Sequence, residues 1–134
     1  MMTRDPMQAI VASMPFAGQI GLRVIEATKH QVIGEVTVQA DKCTSGNIAH
    51  GGFLMTLADC VGAVAAFLNL PDDARGTTTT ESKTNLIAAA PVGTVLRATA
   101  LPISVGRRLQ VWQTRVETPE GKLISLTTQT QLNL

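Results

Sequence analysis

The chain has 134 residues, of which 45% are hydrophobic and only 3% aromatic, so it has the size of one domain with a core of aliphatic side chains and alanine. Its net charge of +1 provides no field that would attract nucleic acid or an anionic membrane. Cys43 and Cys60 have no metal-ligand spacing, and two cysteines are too few for a disulfide framework. We therefore expect a single domain over residues 1–134 and no metal site. Because no secretory hydrophobic region follows the N-terminal residues, we also expect a cytoplasmic protein.

The first third of the chain predicts a short helix and a β-hairpin. Asp5 is placed to cap a helix that has a proline at its first position, and we expect Pro15 to end this helix. Residues 22–28 and 31–40 predict two strands, and the second strand alternates apolar with more polar residues. A polar loop over residues 41–49 follows, with its turn at Ser-Gly-Asn.

Residues 50–70, HGGFLMTLADCVGAVAAFLNL, are apolar except for the histidine and Thr56, Asp59 and Asn69. The length, the alanine content and the absence of proline predict one long helix. About twenty apolar residues could also cross a bilayer. The carboxylate in the middle and the lack of Lys or Arg on the immediate flanks favour instead a central helix wrapped by a sheet, buried on every side.

The remainder of the chain predicts four strands, over residues 77–90, 94–105, 107–118 and 122–134, which end as a meander. Residues 118–121, Thr-Pro-Glu-Gly, have proline and glycine where a type I turn favours them. The predicted fold class is α+β, with an antiparallel sheet around one long central helix and a short N-terminal helix. Such a sheet leaves parts of itself exposed, so we also expect self-association.

The start of the long helix carries the candidate chemistry. Gly51 and Gly52 offer N–H groups at a helix N-terminus with no side chain in the way, which is the architecture of an oxyanion hole. Asp59 is a candidate catalytic carboxylate, and the alternative is a buried structural carboxylate. For His50 we favour a role in orienting the loop over one in proton transfer.

The spacing of Gly51 and Asp59 predicts the assembly. The two residues are eight positions apart, which is about 12 Å along a helix axis. A carboxylate that acts on a carbonyl held by Gly51 must come within about 3 Å of the reacting centre. One chain cannot meet both conditions, whereas two chains related by a twofold axis can. If these residues cooperate, the active unit is at least a dimer with composite sites.

These motifs resemble a known family. HGG at residues 50–52, AD at 58–59, ESKTN at 81–85 and GRR at 106–108 are similar to the hotdog-fold acyl-CoA thioesterases of the phenylacetate-pathway (PaaI) type. The resemblance implies a hotdog fold, hydrolysis of an acyl-CoA thioester, and homodimers or dimers of dimers with sites at the subunit interface. It implies no cofactor apart from the coenzyme A of the substrate.

The resemblance also implies roles for four residues. Asp59 matches the catalytic carboxylate, acting as base on water or as nucleophile. The Gly51 amide, with Gly52, matches the oxyanion donor, and His50 matches a residue that helps hold the thioester.

Other positions depart from the family pattern or add to it. Many members carry Asn or Gln about six residues before the histidine, where this chain has Thr44. Either Asn47 replaces it through a shifted loop, or this function is missing. A hydroxyl on the strand after the helix often places the water, and Glu81 competes for that position. The hydroxyl candidates are Thr79, Thr80 and Ser82.

Coenzyme A carries phosphates, so a cationic rim is expected. The candidates are Lys83, Arg107 and Arg108, with Arg75 as a further one. For the arginine pair the alternative is a solvated turn. For the whole chain the alternative function is a hotdog module that binds or senses acyl-CoA without cleaving it. A hotdog dehydratase is disfavoured, because the chain has no Asp-x-x-x-x-His pairing.

Overall fold

The computed structural model of the protein describes residues 5–134 and begins with two short helices, α1 (Pro6–Ala12) and α2 (Pro15–Gln19). The Asp5 carboxylate accepts a hydrogen bond from the Met7 N–H at 3.0 Å, which confirms the predicted cap. The expectation that Pro15 ends the first helix is wrong. Pro15 opens α2 instead, at a first-turn position where the N–H that proline lacks has no helical acceptor.

A six-stranded antiparallel sheet forms the body of the domain, with strand order β1-β2-β6-β7-β8-β5, and a separate two-stranded hairpin is formed by β3 and β4. In chain order the strands are β1 (Arg23–Ala27), β2 (Val32–Thr37), β3 (Cys43–Thr44), β4 (Ile48–Ala49), β5 (Thr77–Leu86), β6 (Val95–Val105), β7 (Leu109–Glu117) and β8 (Leu123–Asn133). The predicted meander is confirmed for the last three strands. It does not include β5, which pairs with β8 at the opposite end of the sheet from β1.

The loop before the long helix is more regular than expected. Residues 41–49 contain part of a 3₁₀ turn (Ala40–Lys42) and both strands of the small hairpin. The hairpin turns through Gly46 and Asn47, whose φ angles are positive, at 83° and 56°. The same loop holds His50 in place before α3, since the His50 N–H donates to the Lys42 carbonyl at 2.9 Å.

The long helix α3 (Gly51–Leu68) confirms the predicted central helix. It packs against β2, β5, β6, β7 and β8, and its Leu57, Val61 and Ala65 are fully buried together with Trp112 of β7. By length and hydropathy alone α3 would suit a membrane span, but 56% of it is buried inside the domain. Within this structure it is the core helix of the sheet.

One stripe of α3 faces outward, so the expected burial on every side is wrong. Gly52, Met55, Asp59 and Phe67 recur at helical spacing and are exposed, with Met55 at 42% and Phe67 at 62%. A single sheet reaches only the side of a helix that faces it. The opposite stripe of α3 therefore stays open in one chain, and it carries the candidate catalytic carboxylate.

Candidate active site

His50 caps α3 with its own side chain. Its backbone is extended, and its Nδ1 accepts a hydrogen bond from the Gly52 N–H at 2.8 Å. Because Nδ1 is the acceptor, the proton of the neutral imidazole is on Nε2, which is free to donate. The Gly52 N–H, counted from sequence as a second oxyanion donor, is occupied by this cap.

Gly51 provides the open donor at this end of the helix. Its N–H has no acceptor among residues 5–134. A Cβ at this position would lie 2.7 Å from Leu86 Cδ1, so a larger residue would fit only after the exposed end of the Leu86 side chain moved. Gly51, Thr44 and Leu86 line one depression of about 310 Å³. The helix N-terminus adds its partial positive charge to this N–H.

Asp59 lies on the outward stripe, in a different depression of about 480 Å³ that Phe16, Thr56 and Ser82 also line. Although the residue is exposed in one chain, desolvation by its neighbours raises the pKa of its carboxyl, and a hydrogen bond from Thr79 lowers it in part. A raised pKa suits a group that has to accept a proton near neutral pH.

Cys60 is next to Asp59 but does not have the properties of a nucleophile. Burial, and then the charge of Asp59, raise the pKa of its thiol to about 11. The thiol is therefore protonated at neutral pH, and the thiolate is the reactive form.

A β-bulge decides which side chains of β5 face Asp59. The register of β5 against β8 shifts between Thr79 and Glu81, so Thr80 is the extra residue. The bulge moves the alternation by one position. Ser82, not Glu81, consequently lines the Asp59 depression, and Thr79 also lies on the side of α3.

Two predicted substrate-binding residues of β5 lie away from this depression. The Thr80 hydroxyl donates to the backbone carbonyl of Thr130 at 3.3 Å. Lys83 follows Ser82 and so falls on the outer face of the sheet, opposite to α3. Within one chain, neither side chain reaches the carboxylate of Asp59.

The two candidates for the Asn or Gln that many family members carry before the histidine lie in different places. Thr44 shares the depression of Gly51. Asn47 is exposed at the tip of the small hairpin, where its carbonyl accepts a hydrogen bond from the Val92 N–H at 2.9 Å. The threonine, and not the asparagine, therefore borders the open N–H of its own chain.

Arg107 and Arg108 lie at the tip of the β6–β7 hairpin, at the C-terminal end of α3. Arg107 forms an exposed ion pair with Asp73 at 3.3 Å. An 18-residue helix separates this corner from Gly51, which is about 27 Å. In one chain these arginines cannot meet a ligand held at Gly51.

Phe16 was not anticipated from sequence. It is 59% exposed on α2 and lines both the Asp59 depression and a second one of about 460 Å³ beside His50 and Gly52. The sequence predicted no element over residues 16–21, so α2 was not expected. Among residues 5–134 no cluster of three or more His, Cys, Asp or Glu side chains could hold a metal ion.

Comparisons with known proteins identify the family of the chain. The family model described as Thioesterase superfamily matches residues 46–125. A Haemophilus influenzae protein with a provisional esterase name is 34% identical over 75% of this chain and 74% of its own length. The 1,4-dihydroxy-2-naphthoyl-CoA thioesterase 2 of Arabidopsis thaliana is 24% identical over 84% of this chain and 74% of its own length.

A solved structure of a mutant of the phenylacetic acid degradation protein PaaI from Thermus thermophilus is also similar. It has a TM-score of 0.82 and 28% identity, covering 90% of this chain and 99% of that one. The predicted resemblance and the predicted fold class are confirmed. The chain belongs to the thioesterase superfamily, has the hotdog fold of its PaaI-type members, and is a thioester hydrolase.

Proposed function

We propose that the protein hydrolyses an acyl-CoA thioester to a carboxylic acid and coenzyme A, in a site that two copies of the chain share. The observation that carries this proposal is the position of Asp59. It lies on the uncovered stripe of α3, about 12 Å along the axis from the open N–H of Gly51. A relative that is named for a naphthoyl-CoA substrate supports the CoA-thioester class.

The uncovered surface of one chain supports pairing with a second. β5 is an edge strand of ten residues, nearly all exposed, and no strand among residues 5–134 lies beside one side of its backbone. Leu86 at its end and Met55 and Phe67 on α3 add exposed apolar area to the same region. A twofold dimer, or a dimer of dimers, would cover this surface.

Symmetry then determines how the two helices meet. If Asp59 of each chain faces Gly51 of the other, the two α3 helices run antiparallel. The residue halfway along the helix between positions 51 and 59 then faces its own copy in the partner. That position is Met55. The same arrangement directs Arg107 and Arg108 of each chain toward the Gly51 end of the partner, where the phosphates of coenzyme A need cations.

The chemistry follows from this arrangement. The thioester carbonyl oxygen accepts a hydrogen bond from the Gly51 N–H, a type of donor worth about 3 kcal/mol to an oxyanion. Asp59 of the partner subunit takes a proton from water as the water oxygen bonds to the carbonyl carbon. The C–S bond then breaks, and the thiolate of coenzyme A leaves with that proton. Direct attack by the carboxylate, through a mixed anhydride, is the alternative use of the same geometry.

Replacement of Asp59 tests the proposal. Asp59→Asn should reduce thiol release from hexanoyl-CoA and benzoyl-CoA by about 10²–10⁴-fold, because it removes the base but keeps the shape of the side chain. Asp72→Asn, which changes an exposed carboxylate outside the site, is the matched control. Retained turnover in Asp59→Asn would remove the mechanism. Binding of acyl-CoA without thiol release by the unaltered protein would support the sensing module instead.

Mixed dimers test whether the site is shared. Asp59→Asn and Gly51→Pro chains should each be inactive alone, but they should regain about a quarter of the wild-type activity when they are unfolded and refolded together. Half of the dimers are then mixed, and each mixed dimer has one intact site out of two. No recovery would place both residues of each site in one chain.

A further inference from the structure

The depression beside Asp59 lies between two helices. Its floor is a stripe of α3 on which four residues recur at helical spacing, namely Thr56, Asp59, Cys60 and Ala63. Its wall is the segment at residues 14–17, Met-Pro-Phe-Ala, which spans the start of α2 and has no polar side chain. The volume of about 480 Å³ is within the range of small-molecule sites, which is about 300–1,000 Å³.

The wall is fixed to the core of the domain. Ala17 and Ile20 are 0% and 3% exposed, and the Ala17 carbonyl accepts a hydrogen bond from the Leu22 N–H at 3.1 Å. Phe16 directly precedes these anchors, yet it is 59% exposed, and the exposed Met55 lines the same depression. Exposed apolar side chains that are grouped around a cavity, unlike single ones, mark a place where another molecule binds.

The proposed dimer does not account for the exposed ring of Phe16. A second copy of the chain would cover β5 and the outward stripe of α3, and Phe16 is on α2, which belongs to neither surface. Met55 belongs to the outward stripe and also lines the depression, so the partner would border the depression and enclose it further. What remains for Phe16 to contact is a molecule inside the depression.

The side chains around the depression favour an apolar occupant. Apart from Cys60, whose thiol keeps its proton at neutral pH, Asp59 is the one titratable group among the described residues that line it. The Thr56 hydroxyl donates to the Gly52 carbonyl of its own helix at 2.8 Å, so its proton is already used. A polar group of an occupant that lay along the α2 wall would lose its water without gaining a partner.

The depression beside His50 is different in this respect. Asp41 and Lys42 line it and form an ion pair at 2.8 Å, and Gln19 adds an amide. Phe16 is one boundary between this charged depression and the apolar one. An apolar chain therefore has a better environment on the Asp59 side of Phe16.

We propose that the Asp59 depression receives the acyl group of the thioester, and that Phe16 and Ala63 determine which acyl groups fit. The acyl carbon lies beside Asp59, and the rest of the acyl group lies along the apolar wall of α2. The preferred substrate then carries an apolar acyl group that is longer than acetyl and has no charge at its far end. This inference rests on the proposed function, in which Asp59 acts on the acyl carbon, and it does not require a particular dimer register.

The test is the ratio of kcat/KM for hexanoyl-CoA to kcat/KM for acetyl-CoA, with thiol release followed by 4,4′-dithiodipyridine. Ala63→Leu adds a side chain on the half-buried floor of the depression. The ratio should fall at least about tenfold, since one methylene in a hydrophobic pocket changes kcat/KM by about 10–200-fold. Both substrates use the same site, so poor folding or weak dimerisation would lower both rates and leave the ratio unchanged.

Ala89→Leu is the matched control, because it makes the same change in the depression of Gly51. It should leave the ratio unchanged. Gln19→Leu, in the depression beside His50, should also leave it unchanged. A ratio that falls in either control and not in Ala63→Leu would place the acyl group elsewhere and overturn the proposal.

Replacement of Phe16 tests the wall of the depression. Phe16→Ala should lower the same ratio by about tenfold, because it removes apolar contacts that only the longer acyl group reaches. Phe16→Leu keeps an apolar side chain and should restore most of the ratio. Phe67→Ala removes a similarly exposed phenylalanine that does not line the depression, so it should not move the ratio. Equal effects of Phe16→Ala and Phe67→Ala would contradict the assignment of the wall.

A charged acyl group tests the expected substrate class. Adipoyl-CoA has the chain length of hexanoyl-CoA and a carboxylate at its far end. Its kcat/KM should be lower at least about tenfold, since the α2 wall offers that charge no partner. Equal values of kcat/KM for the two substrates would contradict an apolar acyl site.

Binding measurements cover variants that turn over slowly. In Asp59→Asn, calorimetry measures the affinity for hexanoyl-CoA and for acetyl-CoA without hydrolysis. Addition of Ala63→Leu should weaken the binding of hexanoyl-CoA about tenfold and leave that of acetyl-CoA unchanged. An unchanged ratio of the two affinities would disprove the inference, whereas turnover that survives Asp59→Asn would disprove the function on which it rests.

Discussion

The two sides of α3 differ in what they need from the rest of the molecule. On the inward side Leu57, Val61 and Ala65 are fully buried against the sheet of the same chain. On the outward side Met55 and Asp59 are exposed, and no strand in the described part of the chain covers them. The comparison shows that one chain buries the inward side by itself and leaves the outward side open. In the proposed dimer, the helix stabilises the domain with one side and contributes to the shared site with the other.

The largest expected effect is on the inward side. Leu57→Ala should lower the free energy of unfolding by about 2–5 kcal/mol, because a fully buried leucine leaves a cavity. Phe67→Ala, on the outward stripe of the same helix, leaves no cavity inside its own chain, so it should cost less, and its cost should depend on protein concentration because the proposed dimer covers this side chain. Urea unfolding of both variants measures the difference. Equal losses in the free energy of unfolding would show that the outward side contributes as much to stability as the inward side.

The next effect is at the helix start, where activity should change more than stability. Gly51→Pro removes the N–H that we assign to the oxyanion, and proline is tolerated at the first helical position after an extended His50. The expected loss in kcat is about 10²–10³-fold. Gly51→Ala introduces the same Cβ against Leu86 but keeps the N–H. If the alanine variant loses as much activity as the proline variant, steric displacement and not the donor explains the loss.

A smaller and purely geometric effect tests how the outward stripes meet. Met55→Cys should form a disulfide between two chains under mild oxidation, since antiparallel helices that place residue 59 opposite residue 51 bring residue 55 against its own copy. Phe67→Cys is on the same stripe, but its copies would be about 36 Å apart along the helices. Non-reducing gel electrophoresis shows the dimer band. Cross-linking through residue 67 instead of 55 would contradict the proposed register.

The smallest effect is on the pH dependence of stability. The raised pKa of Asp59 means that the folded state disfavours ionisation, so the stability that the protonated group contributes is present below the ordinary pKa of 3.8 and is lost as the pH rises through the higher pKa of the folded state. Asp59→Asn cannot ionise and should melt slightly above the wild type at pH 7. The gain should disappear at about pH 3, which calorimetry can follow. A wild type that is more stable than the variant at pH 7 would show that the ionised carboxylate is stabilised by its surroundings.

The helix and its first residues were predictable because their signals are local. An apolar run without proline predicts a helix wherever it packs, and two glycines after a histidine mark a helix start with open N–H groups. The spacing of Gly51 and Asp59 was equally decisive, since the rise of an α-helix is the same in every protein. The contact of Leu86 with residue 51 could not be predicted, because the two residues meet only after β5 has paired at its edge.

The β5 side chains beside Asp59, in contrast, could not be predicted from local signals. Simple alternation along β5 from Thr79 would direct Glu81 toward the helix, and the bulge at Thr80 directs Ser82 there instead. No residue type in this run of threonines signals a bulge.

By itself, the sequence determined the central helix, the strands around it, the glycine start with its open amide, and the distance that separates this amide from Asp59. These features depend on periodicity and helical rise, which act over a few residues. Only the tertiary structure decided that β5 lies at an edge, that a stripe of α3 stays uncovered, and that Ser82 rather than Glu81 faces the Asp59 depression. Those features depend on which distant segments pair, and pairing is decided by the burial of the whole sheet and not by any one stretch of the chain.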